Sequence, residues 1–298
     1  MGTPHKSVLY KEVLEALAIK KGKTYVDATL DGGGHAKGIL ERGGAVLGVD
    51  IDPEAVKHVA IKFAFKLERK RGFLTAQGGK LTITQGNFAD IRQIASRFGV
   101  WGTAGVLFDL GLSSLQLDEA TRGFSFSKLG PLDMRMDPAL AVTAADLINS
   151  LTERELNELF TKFGEEPSSR RITRAIVKAR INKKIETTGE LSEIIQQVVG
   201  KRGKIHPATR AFQALRIAVN DELGNLKKGL EGATYLLGKK GRLVVISFHS
   251  LEDRIVKNFF RESSDLKILT KRPIVPTEEE VLINPRSRSA KMRVAEKQ

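Results

Sequence analysis

The chain contains no cysteine, which excludes disulfides, thiolate nucleophiles and cysteine-based zinc or iron–sulfur sites. No metal is expected. It has no apolar run near the roughly 20 residues that a membrane span needs. Its first residues, MGTPHKSVLY, lack the hydrophobic region of a signal peptide, so no membrane association is expected and a cytoplasmic location is the default. Also missing is the G-x-G-x-x-G spacing that lets a pyrophosphate rest on a helix N-terminus. The glycines here are Gly32, Gly33, Gly34 and Gly38. That argues against a nicotinamide dinucleotide and for S-adenosylmethionine, which needs a closely approaching backbone but no phosphate cradle.

Positive charge is abundant. Lys+Arg 49 against Asp+Glu 35 gives +14 over 298 residues, which favours a polyanionic partner. The hydrophobic content of 41% is that of an ordinary soluble globular protein of one or two domains.

The chain is organised around Thr24–Asp52. Tyr25, Val26 and Ala28 form a β-type run, and Val46, Leu47 and Val49 form a second that ends on Asp50. Between them, Asp31-Gly32-Gly33-Gly34-His35 leaves the backbone nearly bare. An acid closing the second strand of a βαβ unit commonly accepts the hydroxyls of a ribose. A nucleoside-containing ligand is predicted across the carboxyl ends of the strands.

Further along, Pro53 suits the first position of a helix. Lys66–Lys80 reads as a basic loop or frayed helix end, and Leu81, Ile83 and Phe88 mark a third strand. Phe88 is either an adenine wall or a core residue. The apolar run Gly105–Gly111 delivers Asp109 at its carboxyl end, where a carboxylate is costly unless solvated or paired. Leu112–Pro138 shows no period and reads as a long loop, functional or mobile. From Ala139 to Lys204 the pattern is helical. Thr152-x-x-Glu155 and Thr187-x-x-Glu190 are capping boxes, with Gly164 and Gly200 as stops. Ser168–Lys204 holds 10 Lys/Arg against 3 Glu, with Arg170, Arg171, Arg174 and Lys178 on one helix, a nucleic-acid surface. One long helix is predicted from His206-Pro207 through Phe212, Leu215, Val219, Leu223, Leu226 and Leu230. A strand over Gly241–Phe248, a helix over Leu251–Phe260 and a closing antiparallel pair, Leu266–Val275 with Ser289–Glu296, follow. The helical stretch interrupts a strand-and-helix alternation, which predicts an inserted domain.

Several motifs together resemble the MraW family of bacterial S-adenosylmethionine-dependent methyltransferases. They are His5-Lys6-Ser7-Val8-Leu9, Asp31–His35, Asp109-Leu110-Gly111-x-Ser113-Ser114-x-Gln116-Leu117, Arg122–Phe126, Gly130–Asp137, His206–Arg210, Ser247–Arg254 and the Arg286–Arg293 tail. The resemblance implies an α/β fold: a class I methyltransferase, Rossmann-like, mostly parallel seven-stranded sheet with an inserted all-helical domain. The methyltransferase domain is expected over 1–112 and 209–298, and a helical substrate-recognition domain over 113–208. It also implies transfer of a methyl group to the exocyclic N4 of a cytidine in the decoding region of 16S ribosomal RNA, within the small ribosomal subunit. Cofactor contacts carried over by motif fall on Gly33, Gly34, His35, Asp50, Phe88, Asp109 and Gln116. RNA contacts are expected at Arg170, Arg171, Arg174, Lys178, Arg286 and Arg288. The acceptors placed nearest the amine are Asp109, Ser113 and His249. Asp109 is left with two roles, proton acceptor and cofactor ligand, and His249 with an alternative as a buried structural residue. Rival readings are the same fold acting on DNA or protein, a non-catalytic RNA-binding protein, and a nicotinamide oxidoreductase.

Overall fold

The computed structural model describes residues 7–70, 72–200 and 206–298. The chain divides into two compact units, Met1–Gly111 with Leu223–Gln298, and Leu112–Glu222.

The first unit opens with α1 (Tyr10–Ala16), β1 (Thr24–Asp27), α2 (Gly34–Glu41), β2 (Ala45–Asp50) and α3 (Pro53–Lys62). Asp52 caps α3 by accepting from Glu54 N at 3.0 Å, and Pro53 takes the first helical position, where its missing N–H costs nothing. His5 and Lys6, in the predicted first motif, lie outside the described residues. There follow β3 (Glu68–Lys70), β4 (Phe73–Gly78), β5 (Leu81–Gln85), α4 (Ile91–Arg97) and β6 (Thr103–Asp109). The segment read as a loop or frayed helix, Lys66–Lys80, instead builds the antiparallel pair β3–β4, which adds to the sheet beside β5. The sheet therefore has nine strands among the described residues, two more than the seven expected.

The second unit consists of α5 (Ser114–Asp118), α6 (Ala144–Ser150), α7 (Glu153–Gly164), α8 (Ser169–Asn182), α9 (Thr188–Val199) and α10 (Thr209–Asn220). Its core gathers Leu156, Phe160, Ile172, Ile176, Leu191 and Leu215. Both predicted capping boxes form: Glu155 N donates to Thr152 Oγ1 at 3.3 Å and Glu190 N to Thr187 Oγ1 at 3.2 Å. Gly200 terminates α9, but Gly164 lies inside α7, and Glu165, at φ 47°, ends that helix. Gly164 is needed for packing, since a Cβ there would meet Arg210 O at 2.7 Å. Leu112–Pro138, although largely irregular, is pinned: Leu132 N donates to Glu186 O at 2.8 Å, Met134 N to Arg122 O at 3.0 Å, and Phe124, Leu132 and Met134 are buried.

The helix predicted to run unbroken from Pro207 is two helices, α10 and α11 (Glu222–Leu236). Asp221 between them is left-handed at φ 44°, and Asn220 fastens the break by donating to Met134 O at 2.8 Å and Arg216 O at 2.9 Å. The second unit consequently runs to Glu222 rather than ending at 208, because α10 packs on α7 and supplies Phe212 and Leu215 to the helical core.

The first unit resumes with β7 (Leu237–Ser247), α12 (Ser250–Glu262), β8 (Leu266–Ile268), α13 (Glu278–Ile283) and β9 (Lys291–Lys297). The sheet order is β3-β4-β5-β2-β1-β6-β7-β9-β8. Its centre, β5-β2-β1-β6-β7, is parallel, and β9 pairs antiparallel with both β7 and β8, so that β8 again runs with the central strands, the strand arrangement expected of a class I methyltransferase sheet. Alternate side chains feed separate cores: Tyr25, Val46, Leu107, Val244 and Ile246 face one, and Val26, Leu47, Val106, Leu243 and Val245 the other. With both faces covered, the carboxyl edge of the parallel strands is where a ligand finds chain ends. Among the described residues no helix is long and apolar enough to cross a membrane.

Candidate active site

Three neighbouring parallel strands end on acids: β1 on Asp27, β2 on Asp50 and β6 on Asp109. The register pairs Asp27 with Gly48 on one side and Leu107 on the other, so the three carboxylates share one edge. Asp27 is 1% exposed. Among the described residues its Oδ1 accepts only a long 3.4 Å bond from Thr29 N, and Oδ2 has no hydrogen-bond partner. Burial pushes this carboxyl up to about 7, with His35 opposing and Asp109 and Asp50 adding to the rise. Asp31, held left-handed at φ 42°, is also pushed up to about 7, by burial and by Asp109, against His35 and the Arg286 guanidinium.

His35 sits among these acids. It is buried, its ring stacks on Tyr10 at 6.0 Å, and Nε2 lies 3.3 Å from Asp109 Oδ2. The separation suits an ion pair but the alignment does not make a hydrogen bond, and neither ring nitrogen has a hydrogen-bond partner among the described residues. Burial works against the charged imidazole, but Asp109, Asp27 and Asp31 outweigh it and raise its pKa. Asp109 Oδ1 is buried without a hydrogen-bond partner among the described residues, while its backbone N–H donates to Thr29 Oγ1 at 2.6 Å.

Asp50 is partly occupied by its own chain. Oδ2 accepts from Asp31 N at 2.8 Å and Oδ1 from Asp52 N at 2.9 Å, which leaves each oxygen a further lone pair. Burial still carries its pKa up to about 7. Gly33 caps α2 at φ 68°, a conformation that favours glycine. A Cβ on Gly34 would collide with Ser7 Oγ, so that glycine answers to packing as well as to ligand approach. Phe88 packs edge-on to Phe108 at 5.4 Å and against Gly229, which supports its reading as a core residue. His249 follows β7 at the same sheet edge but serves its own helix: Nδ1 accepts from Glu252 N at 3.4 Å, and Nε2 lies 3.2 Å from Glu252 Oε1. Arg286 and Arg288 are exposed in a 3-10 turn over Pro285–Ser289.

Ser113 and Gln116 belong to the second unit, where they cap α5 reciprocally: Gln116 N donates to Ser113 Oγ and Ser113 N to Gln116 Oε1, both at 3.0 Å. Arg170, Arg171, Arg174 and Lys178 lie on α8 and all four are exposed. Arg171 donates to Ser168 Oγ at 2.9 Å, and Arg174 lies 3.4 Å from Glu153. A cavity of about 500 Å³ opens at the start of α8, lined in part by Asn157, Thr161, Arg170 and Arg171. Three of the ten basic residues, Lys201, Arg202 and Lys204, lie outside the described residues.

The sequence matches the MraW methylase family over residues 2–298. The chain belongs to that family. A relative from Deinococcus deserti, named ribosomal RNA small subunit methyltransferase H, is 50% identical over 98% of this chain and 93% of its own length. One of the same name from Carboxydothermus hydrogenoformans is 46% identical over 98% of this chain and 97% of its own. Among solved structures, an rRNA methylase from Streptococcus thermophilus aligns with 99% of each chain at 8% identity and a TM-score of 0.45.

This MraW methylase is a methyltransferase, and S-adenosylmethionine is its methyl donor. The donor carries a sulfonium and an ammonium group, and the sheet edge fits them. Oxygens on Asp27 and Asp109 that are buried without a hydrogen-bond partner among the described residues, and carboxyl pKa values raised at Asp27, Asp31 and Asp50 by burial first and by neighbouring carboxylates second, mark acids that a cation would stabilise in their charged form. Sequence reasoning missed Asp27 and Asp31 as site residues. The signal that finds Asp27 is its place at a strand end, the criterion that selected Asp50 and Asp109.

Proposed function

We propose that this chain methylates the exocyclic N4 of a cytidine in the decoding region of 16S ribosomal RNA, acting on RNA within the small ribosomal subunit, in the cytoplasm. Family membership, the names of its relatives and the net charge of +14 support an RNA substrate. The observation that carries the chemistry is Asp109 Oδ1, buried and unpartnered at the end of β6 while Oδ2 sits beside His35.

The cytosine amine is a poor nucleophile because its lone pair is delocalised into the ring. S-adenosylmethionine, when bound, supplies the electrophilic methyl group. Asp109 Oδ1 accepts an amine N–H, an interaction that strengthens as the nitrogen gains positive charge. The same oxygen takes the released proton, and His35 holds the carboxylate in place from its other side. Asp27 and Asp50 bind the cofactor's cationic and ribose groups, and Arg170, Arg171, Arg174 and Lys178 hold phosphates. Ser113 Oγ and His249 Nδ1 are engaged in helix caps, whereas His249 Nε2, like Asp109 Oδ1, is buried without a hydrogen-bond partner among the described residues; Asp109 leads because it closes a central strand beside His35, and His249 is the second acceptor.

Asp109→Asn keeps the shape and loses the charge. Its single-turnover rate should fall about 10²–10³-fold at saturating cofactor and RNA. Recovery of the wild-type rate at saturating cofactor would reduce Asp109 to a cofactor ligand. Methyl transfer to purified small subunits, RNA, DNA and protein tests the substrate, and label appearing only on DNA or protein would overturn the RNA assignment.

A further inference from the structure

The opposite edge of the sheet carries a feature that methyl transfer does not use. Trp101, the single tryptophan of the chain, is 48% exposed, and Tyr235 is 55% exposed. Their rings meet edge to face at 6.1 Å, and the Arg92 guanidinium lies 3.7 Å above the Tyr235 ring. The register explains the meeting. Thr103 pairs with Leu237 at the amino ends of β6 and β7, Thr103 Oγ1 donates to Leu236 O at 3.2 Å, and each ring stands two residues earlier. Beyond that pair the register shifts before Gly105 meets Arg242, so β7 bulges over Gly238–Gly241. The bulge presents Lys239 and Lys240, both outside the buried core, neither in an ion pair with any described residue, and Lys240 left-handed at φ 64°. Glu231, one turn before Tyr235, is the nearby acid on α11.

An exposed large ring gives up burial that the core would reward. Two such rings together, with one arginine stacked and two lysines beside them, have the composition of a single-stranded nucleic-acid platform, in which rings stack bases and cations hold phosphates. We propose that Trp101 and Tyr235, flanked by Arg92, Lys239 and Lys240, form a second RNA-contact surface that stacks an unpaired base of the substrate. The proposal rests on the RNA substrate proposed above. Thr103 to Asp109 spans roughly 20 Å of strand, so this surface grips RNA well away from the reacting cytidine. That suits a large folded substrate.

The lone tryptophan reports on its own site. Titration with a 16S ribosomal RNA transcript should quench its emission, and more salt should reverse the effect. By anisotropy of labelled transcript, Trp101→Ala should weaken binding about fivefold or more, and Trp101→Phe, which keeps a stacking face, should recover most of the affinity. In methylation assays Trp101→Ala should raise KM for RNA and leave the single-turnover rate at saturating RNA unchanged, with cofactor affinity by calorimetry also unchanged. Unaltered emission at saturating transcript, together with an unchanged dissociation constant for Trp101→Ala, would overturn the proposal. An emission change that follows protein concentration without RNA, with dimers in sedimentation, would overturn it in favour of a second copy of this chain, and a response only to ribosomal proteins would overturn it in favour of a protein partner. Failure of the function proposed above shows itself separately, as absence of methyl transfer to any RNA.

Discussion

Asp27 gives the sharpest test of the electrostatic reading of the site. Its side chain is buried, one oxygen has no hydrogen-bond partner among the described residues, and burial pushes its pKa up to about 7 from the ordinary 3.8. A folded-state pKa above the unfolded value means that the native protein holds a proton the unfolded chain has released. The stability this contributes is full below about pH 4 and is lost as pH rises through about 7. Between about pH 5 and pH 8 the difference is roughly two decades of proton binding, or about 3 kcal/mol. For a unit of this size that is a fall in melting temperature of about 6–12 °C. Asp27→Asn keeps the shape and cannot ionise. Urea titrations and calorimetric melts of cofactor-free protein at several pH values should show the wild type losing stability across this range. The variant should lose about 3 kcal/mol less. Asp31 and Asp50 are shifted the same way and steepen both curves, so the difference between the proteins reports Asp27 together with its coupling to His35 and Asp50. Parallel curves would mean that Asp27 is ionised in the free protein, and the account of an acidic edge lacking a compensating cation would fail.

Two further outcomes follow from the same geometry. Asp50→Ala should weaken S-adenosylmethionine binding by about 1.5–3 kcal/mol as a charge-assisted hydrogen bond disappears, and an unchanged calorimetric affinity would remove Asp50 from the ribose site. Neutralising Arg170, Arg171 and Arg174 together should weaken RNA binding and flatten its salt dependence by up to about 0.7–0.9 log units for each phosphate no longer neutralised, with cofactor affinity constant; an untouched salt slope would show that this face of α8 is only solvated.

How far the sequence could be read depended on whether a feature leaves a local trace. Asp50 and Asp109 were visible because each closes an apolar run, and both capping boxes because Thr and Glu three apart at a helix start have one ready use. The β3–β4 hairpin left no trace of that kind. Glu68, Arg69 and Lys70 are all exposed, so no alternation of apolar residues announces a strand at the sheet margin. The break at Asp221 was hidden for the opposite reason: Leu215, Val219, Leu223 and Leu226 keep helical spacing through it, and a single left-handed residue does not disturb a period. The raised pKa of Asp27 comes from burial first and then from Asp109 and Asp50, against His35, none of which is in place until the chain folds. His249 has the residue type of a catalytic acceptor, and the sequence does not reveal that its Nδ1 caps α12 while Nε2 is left without a hydrogen-bond partner among the described residues.

The discontinuity of the first unit has a consequence for synthesis. Translation completes β6 and then makes the whole of Leu112–Glu222 before β7 begins at Leu237. Every member of the helical core, from Phe124 to Leu215, is therefore polymerised while one edge of β6 still lacks the strand that will cover it. At ribosomal rates of about 5–20 residues per second, Leu223–Gln298 takes roughly 4–15 s more, and the far edge of β7 waits for β9 almost to the end. Until then the nascent chain carries one self-contained helical unit and one half-built sheet with an open apolar margin, the state in which strand edges are most exposed to mispairing.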